Sequence, residues 1–432
     1  MLLRTNPKMK IVTILLEKYK SDKKIRQAFS LMSWNFLGIP LGMFTSIIIT
    51  RFMGSKTYGD YMYINNILNF AIILLNFGFF QAGNRAIVLS NNKEKTREYF
   101  GAQLIVLFGI YIVITIALYT FSIFDHNIAQ KGIQHSLLYI IPFSFIFLLM
   151  QYFDQLLQAD NQINLLIISR YYPRFGFFIS GLIIYFLFRN FVGNRLVVIW
   201  IFFLFTQFVI YVFVLFKLKI SLFNFKIRIT ELFQFNKKFG IKVYTGNLFS
   251  TAIAQFTPIL VSYFGNDNSG VGFYSLAFTL VAPLSFIPNV IATTHYKEFS
   301  TLEKIPANIL KLTIGITILA LIILLVIIPP FVHFFYKKEF LPVIDLCYIT
   351  SAGVLLYGIS DFFSKFLGAH GDGIALRNSS FIVGFFSLLF SVVLIPKFHE
   401  KGAAIAYFAA SLTYVISIVY FYKKYKTKQI IK

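Results

Sequence analysis

The chain has one cysteine, Cys347, in 432 residues. An internal disulfide, a cysteine cluster for zinc and a CxxC redox pair are therefore excluded. Histidines are few and scattered. His126, His135, His333 and His399 are expected in outer loops, His295 and His370 at inner ends, and no two are spaced as a metal pair. Acidic residues are scarce, 17 against 40 Lys and Arg, for a net charge of +23. HExxH, GxSxG and the paired aspartates of a metal-dependent glycosyltransferase are all missing. Gly54-Ser55-Lys56-Thr57 resembles the end of a phosphate loop but lacks the earlier glycine and follows an apolar run, not a strand. No enzyme, cofactor or metal is expected.

What is present is hydrophobicity in long runs. The apolar fraction is 57%, more than a water-facing domain of this size could cover. The runs are continuous, not alternating, so they read as membrane helices and not as barrel strands. Twelve spans are expected, near 28–50, 61–82, 100–121, 137–158, 165–188, 196–216, 243–264, 271–292, 308–330, 341–363, 375–395 and 402–422. Each has about 20 residues, enough for a hydrocarbon core of about 30 Å.

In a soluble protein the basic excess would suggest nucleic acid; here it orients the spans, and no nucleic-acid partner is expected. With the N-terminus inside, inner segments carry 30 Lys and Arg and outer segments 9, with Arg174 inside the fifth span. Both termini are therefore expected in the cytoplasm. Residues 1–27 form a basic segment, too long and too basic before the first apolar run for a cleavable signal peptide. Two readings of residues 8–27 stay open: an amphipathic surface helix, or a solvated tail that sets topology. The basic stretch 217–242 divides the chain into bundles 28–216 and 243–422, and 423–432 is a basic tail.

A short echo supports that division. Tyr58-Gly59-Asp60-Tyr61 opens the second span and Val271-Gly272-Phe273-Tyr274 opens the eighth, 213 residues on; Pro40 and Pro258 sit at similar depths in the first and seventh spans. Helix-weakening residues in matching places point to a transporter with its path between two halves.

Polar residues at membrane depth are the candidates for chemistry, because burying them is expensive. Asp154 lies late in the fourth span, Arg170 and Arg174 flank Pro173 in the fifth, and Arg85 ends the second. Asp361 and Lys365, four residues apart, could pair. Asn65, Asn66, Asn69 and Asn76 stud the second span, Asn247 and Gln255 the seventh. Arg85, Arg170 and Lys365 could equally snorkel to headgroups, and the asparagines could equally be interhelical glue.

Four segments carry a family resemblance. Arg51-Phe52-Met53-Gly54-Ser55-Lys56-Thr57-Tyr58-Gly59-Asp60-Tyr61 resembles the R-x-L-G-x-x-x-Y-G-x-Y of polysaccharide-export flippases. Asn76-Phe77-Gly78-Phe79-Phe80-Gln81-Ala82-Gly83-Asn84-Arg85 is similar to the glycine-bearing end of their second helix. Val271-Gly272-Phe273-Tyr274-Ser275-Leu276-Ala277 matches V-G-x-Y-S-L-A. Leu394 to Ala406 resembles L-I-P-x-x-G-x-x-G-A-A-I-A, with His399 where glycine is usual. Together they resemble the Wzx-type O-antigen or capsule repeat-unit flippases of the multidrug/oligosaccharidyl-lipid/polysaccharide exporter superfamily.

That resemblance implies an all-α, MATE-like integral membrane protein of two six-helix bundles in the bacterial inner membrane. By alternating access it would carry an undecaprenyl-pyrophosphate-linked glycan to the outer leaflet. A cationic cavity would receive the pyrophosphate, with Arg85, Arg170, Arg174, Asn65, Asn69, Asn247, Gln255 and Lys365 as cavity candidates. Asp154 and Asp361 are the candidate carriers of H+ or Na+. Membrane lipids and polymerase or chain-length-regulator proteins are the expected partners. Three alternatives stand beside this reading: a multidrug or metabolite antiporter of the same superfamily, which would favour an acidic cavity; a membrane polysaccharide polymerase, which generally needs a larger outer loop than 122–136; and a lipid II flippase, which usually carries extra helices.

Overall fold

A computed structural model describes residues 23–90, 92–188, 191 and 193–430. The alternatives for the N-terminal tail fall mostly on residues 1–22, outside that set. Helices make up the architecture, with no strand among the described residues. Backbone groups in hydrocarbon must be satisfied within their own segment, and helices do that.

The first half of the chain contains α1 (Lys23–Met53), α2 (Ser55–Leu75), α3 (Phe79–Val88) and α4 (Lys93–Phe124), then α5 (Gln134–Ile140), α6 (Phe145–Ala159), α7 (Ile163–Leu187) and α8 (Arg195–Leu218). A connecting helix, α9 (Phe225–Phe235), runs through a π-helical turn, Asn236–Gly240, into α10 (Ile241–Phe264). The second half continues with α11 (Ser269–Val281), α12 (Pro283–Thr294), α13 (Ala307–Phe335), α14 (Pro342–Ala369) and α15 (Gly373–Ile430).

Among the described residues six helices are long and apolar enough to span a membrane, or up to nine if each bent pair is one span. This is a multi-pass membrane protein. The difference from twelve has identifiable places. α15 covers the last two expected spans and α7 carries Arg170, Pro173 and Arg174, while α10 (Ile241–Phe264) is described continuously, side chains included, only over Ala252–Phe264. His333, expected in an outer loop, lies within α13.

Three expected spans are bent. The second breaks by 63° between α2 and α3. Phe77 and Gly78 adopt left-handed φ values of 49° and 83° there, and the Gly78 N–H donates to Asn76 Oδ1 at 2.9 Å. A Cβ on Gly78 would lie 2.6 Å from the Gly240 carbonyl carbon, so this break needs glycine twice over: for its φ and for the neighbour's approach. The other bends fall beside Pro142 (45°) and at Pro283 (42°), where a ring removes a donor from the ladder.

α15 is two helices run together across His399, at φ 49° and ψ −126°. This is the position where the resembling motif has glycine, and the backbone takes a conformation suited to one. A non-glycine residue held there costs about 1–3 kcal/mol. His399→Gly is therefore expected to raise thermal stability in detergent, and an unchanged or lower Tm would refute the strain.

The halves meet along α2, which packs on α10 and α11. The two echoing segments touch each other: a Cβ on Gly59 would lie 1.8 Å from Asn268 O, and one on Gly272 would lie 3.1 Å from Gly59 Cα. A polar knot adjoins this contact. Asn268 Nδ2 donates to buried Asp60 at 2.7 Å, Ser262 Oγ donates to Asn268 Oδ1 at 2.6 Å, and Lys131 donates to Asn268 Oδ1 at 3.2 Å and to Ser262 O. Burial pulls the Lys131 ammonium below its ordinary pKa, against the carboxylates of Asp267, Asp60 and Asp125. At the opposite end of α2, Tyr244 Oη donates to Leu74 O at 2.5 Å and Asn236 Nδ2 donates to Phe77 O at 3.1 Å.

Cys347 is fully buried, its thiol facing Ala277 O. The folded protein is expected to resist maleimide until it is unfolded. Labelling of the native chain at the rate of a free thiol would contradict that packing.

Candidate functional site

Between α2 of the first half and α10, α11, α14 and α15 of the second lies a cavity of about 600 Å³. Its first-half wall is Asn65, Asn66 and Asn69. Spacings of three and four residues put Asn65 and Asn69 on one side of α2. Asn69 Nδ2 donates to Asn65 Oδ1 at 2.8 Å and to Asn65 O at 2.9 Å, and Asn66 Nδ2 donates to Met62 O at 2.6 Å. These bonds run within α2. The asparagines are not glue between helices, and Asn65 Nδ2 and Asn69 Oδ1 keep hydrogen-bonding capacity toward the cavity.

The opposite wall supplies Gln255 and Thr257 from α10, Ser275 and Thr279 from α11, and Ser387, Ser391 and Ser411 from α15. Pro258 breaks the α10 ladder beside them. Tyr274, Phe278, Tyr357 and Tyr407 form an aromatic surface: Tyr357 stacks on Tyr407 with centroids 6.3 Å apart, and Phe278 meets Tyr407 edge-on at 4.6 Å. The described lining includes no charged side chain. Amides and hydroxyls set in apolar and aromatic walls give such a pocket direction and fit without net charge.

Of the candidate cavity residues, Asn65, Asn69 and Gln255 line this space. Asn247 lies in α10, with its side chain outside the described set. The four cations are elsewhere, and the three arginines each rest on a local carboxylate or ring. Arg170 Nε donates to Asp154 Oδ1 at 2.6 Å, bridging α7 to α6. Arg174, exposed, lies 5.6 Å over the Tyr171 ring, which also stacks on Trp34 of α1 and donates to Asn35. Arg85, exposed at the end of α3, lies 5.6 Å over Phe239. Lys365 does not pair with Asp361; that carboxylate accepts instead from Tyr414 Oη at 3.3 Å. Asp154, Arg170 and Arg174 thus form one cluster against α1, and Asp361 stands apart in the second half. The cationic lining expected of the central cavity is absent from this one because arginines in hydrocarbon settle on a nearby carboxylate or ring face before open space.

The tyrosines and serines were missed. Four serines and four aromatics look like ordinary membrane-helix content until α11, α14 and α15 are folded together. Their partial signal was spacing: Ser387 and Ser391 are one helical turn apart, as are Tyr407 and Ser411.

Residues 25–303 match the family of polysaccharide biosynthesis proteins. No curated protein matches the sequence. Among solved structures, the lipid II flippase MurJ in an inward closed conformation is similar over 93% of this chain and 91% of its own, with TM-score 0.68 and 15% identity. An inward-facing multidrug resistance MATE family transporter of the MOP superfamily is similar over 90% of this chain and 94% of its own, with TM-score 0.67 and 14% identity. A MOP superfamily transporter from Pyrococcus furiosus, described as having a binding pocket of reverse polarity, follows at TM-score 0.51 and 12% identity, over 90% of this chain and 95% of its own. At such identities the likeness is one of fold, and the fold is MATE-like.

Proposed function

We start from the fact that the chain belongs to the polysaccharide biosynthesis protein family, and we propose that it is a flippase. Its cargo is an undecaprenyl-pyrophosphate-linked oligosaccharide, an O-antigen or capsule repeat unit, moved across the bacterial inner membrane by alternating access of bundles 28–216 and 243–422. Both chain ends lie in the cytoplasm. The observation that carries this reading is the uncharged cavity between α2 and the second half. Sugar hydroxyls crossing hydrocarbon need partners. Asn65, Asn69, Gln255 and the serines offer them, and tyrosine faces accept the C–H side of a pyranose ring.

The pyrophosphate end is assigned to the cluster of Asp154, Arg170 and Arg174, with Arg85 and Lys365 as further cations on its route. Protonation of Asp154 would release Arg170 for the phosphate, which couples cargo to a proton gradient; Asp361 is the second carboxylate to test. The lipid tail stays in the bilayer.

The test is a reconstitution. Proteoliposomes holding the full chain and a fluorescent polyprenyl-pyrophosphate glycan are expected to expose the sugar to the opposite leaflet. Asn65→Leu and Tyr357→Ala should slow that exposure by about tenfold, the effect of losing about 1.4 kcal/mol of contact. No translocation above empty liposomes would reject the reading. A cationic drug would need a carboxylate on the wall, and the described lining has none. Drug susceptibility of a deletion strain is accordingly expected to stay unchanged.

A further inference from the structure

A second polar cavity, about 500 Å³, lies apart from the one between α2 and the second half. It gathers residues from four separate stretches: Gln27 of α1, the start of α4, the turn between α6 and α7, and the end of α8. All four stretches fall on the side that the chain-wide split of Lys and Arg assigns to the cytoplasm. Those positions also sit at the ends of apolar runs, so the cavity is at headgroup level.

Its chemistry is that of an anion site. Lys93, Arg97 and Lys217 line it, with the carboxamides of Asn161, Gln162 and Asn164. Among the described lining residues there is one carboxylate, Asp160, and it accepts from Gln162 Nε2. Three cations against one carboxylate leave the site positive. Among the described residues no ion pair holds any of the three cations, although Lys217 rests 5.7 Å over the Phe213 ring. The less exposed Arg170 and Arg228, by contrast, each find a carboxylate. The α6–α7 turn is shaped by Asn161 at φ 53°, and α7 begins there without a side-chain cap, so its first N–H groups add donors to the same wall.

We propose that this pocket binds the phosphate of a lipid headgroup at the inner leaflet. The ligand chemistry is a phosphate ester or pyrophosphate carried on a lipid. An arginine fork and two ammonium groups neutralise it, and carboxamides satisfy the remaining oxygens. The sources are two: a resident anionic phospholipid, or the diphosphate of a polyprenyl carrier docking before it reaches the central cavity. The proposal goes beyond the cargo reading and does not rest on it, since a chain carrying a different cargo would still hold this site.

The experiment uses the full chain in phosphatidylcholine nanodiscs, with bound ligand counted by native mass spectrometry. Phosphatidylglycerol, farnesyl pyrophosphate and inorganic pyrophosphate are the three probes. At least one lipid probe is expected to bind, and each of Lys93→Gln, Arg97→Gln and Lys217→Gln should weaken it about fivefold, the effect of one basic group at a membrane surface. Lys424→Gln, equally basic and outside the pocket, should leave binding unchanged. Stronger response to phosphatidylglycerol identifies the resident lipid, and stronger response to farnesyl pyrophosphate the carrier; either supports the site. Binding of inorganic pyrophosphate alone overturns the lipid assignment, and equal loss in Lys424→Gln overturns the site itself. The failure is separable from that of the flippase reading, because translocation and headgroup binding are read in different assays.

Discussion

Gly59→Ala will lower surface polysaccharide by about tenfold or more while the protein still reaches the membrane. The added Cβ would stand 1.8 Å from Asn268 O. A normal approach is about 3.5 Å, so α11 must retreat by roughly 1.5 Å. Overpacking of this kind costs about 1–3 kcal/mol. It falls only on the conformation in which α2 and α11 touch, and a bias of about 2 kcal/mol moves a two-state balance about thirtyfold. The molecule is then held away from the form sealed at the Asp60–Asn268 end. Ser269→Cys, placed in that background, should react faster with a membrane-impermeant maleimide. Gly272→Ala, whose Cβ would meet Gly59 at 3.1 Å, should act in the same direction more mildly, and keeps the idea testable if the first variant misfolds. Gly109→Ala, with nothing within 4 Å of its Cβ, is the control. Normal display together with unchanged labelling in both seal variants would show that the seal does not govern transport.

The second large effect is expected at Arg228. Its guanidinium donates to Glu98 at 2.6 Å and to Glu231 at 2.8 Å, with only 15% of the side chain exposed and 10% of Glu98. Asn224 Nδ2 also donates to Glu98, and Tyr99 Oη donates to Glu231. Arg228→Met would leave two carboxylates facing each other in a mostly dry site, a loss of about 3 kcal/mol. The Tm in detergent should fall by several degrees, and Arg228→Lys, which keeps charge but not the fork, should recover only part of it. Burial pushes Glu231 up, but bonds from Tyr99 and Arg228 and the charges of Arg228 and Lys95 outweigh it, so its pKa is lowered. A carboxylate lowered in the folded state stabilises above its ordinary range, and that contribution fades as pH falls through the lowered value. The wild type should therefore lose stability below about pH 4.3, while Arg228→Met should show a weaker acid slope. Equal acid slopes, or an unchanged Tm, would show that the clamp carries little of the fold.

Much of the fold was legible because a bilayer imposes a coarse code. Apolar runs of spanning length and loops of one sign suffice to order the helices, and every expected span falls on a helix or on a bent pair of helices. The two Gly-x-Tyr segments were visible as an echo. That they would be pressed against each other was not, because contact between residues 59 and 272 has no local signature. The same limit hid the Arg228 clamp, whose partner Glu98 is 130 residues away. Polar depth was a sound guide to unusual residues and a poor guide to where they point. Asn65, Asn69 and Gln255 do line a cavity, whereas Arg170 and Asp154 satisfy each other. Serines and tyrosines carried only the faint signal of one-turn spacing, since one hydroxyl on an apolar helix is common and only their convergence is not.

The connecting helix α9 has a mechanical consequence. Asn224 and Arg228 bond it to Glu98 at the base of α4. Under the alternating access proposed above, torsion between the halves would fall beyond Phe235, where the next five residues are the wide-wound turn Asn236–Gly240, braced at its far end against Gly78. That turn is short, and π-helical winding is rare and weak beside the α-helix on either side of it. A flippase hung on such an axle would rock like a clothes-peg, its jaws swinging widely at the far end and hardly at all beside the spring.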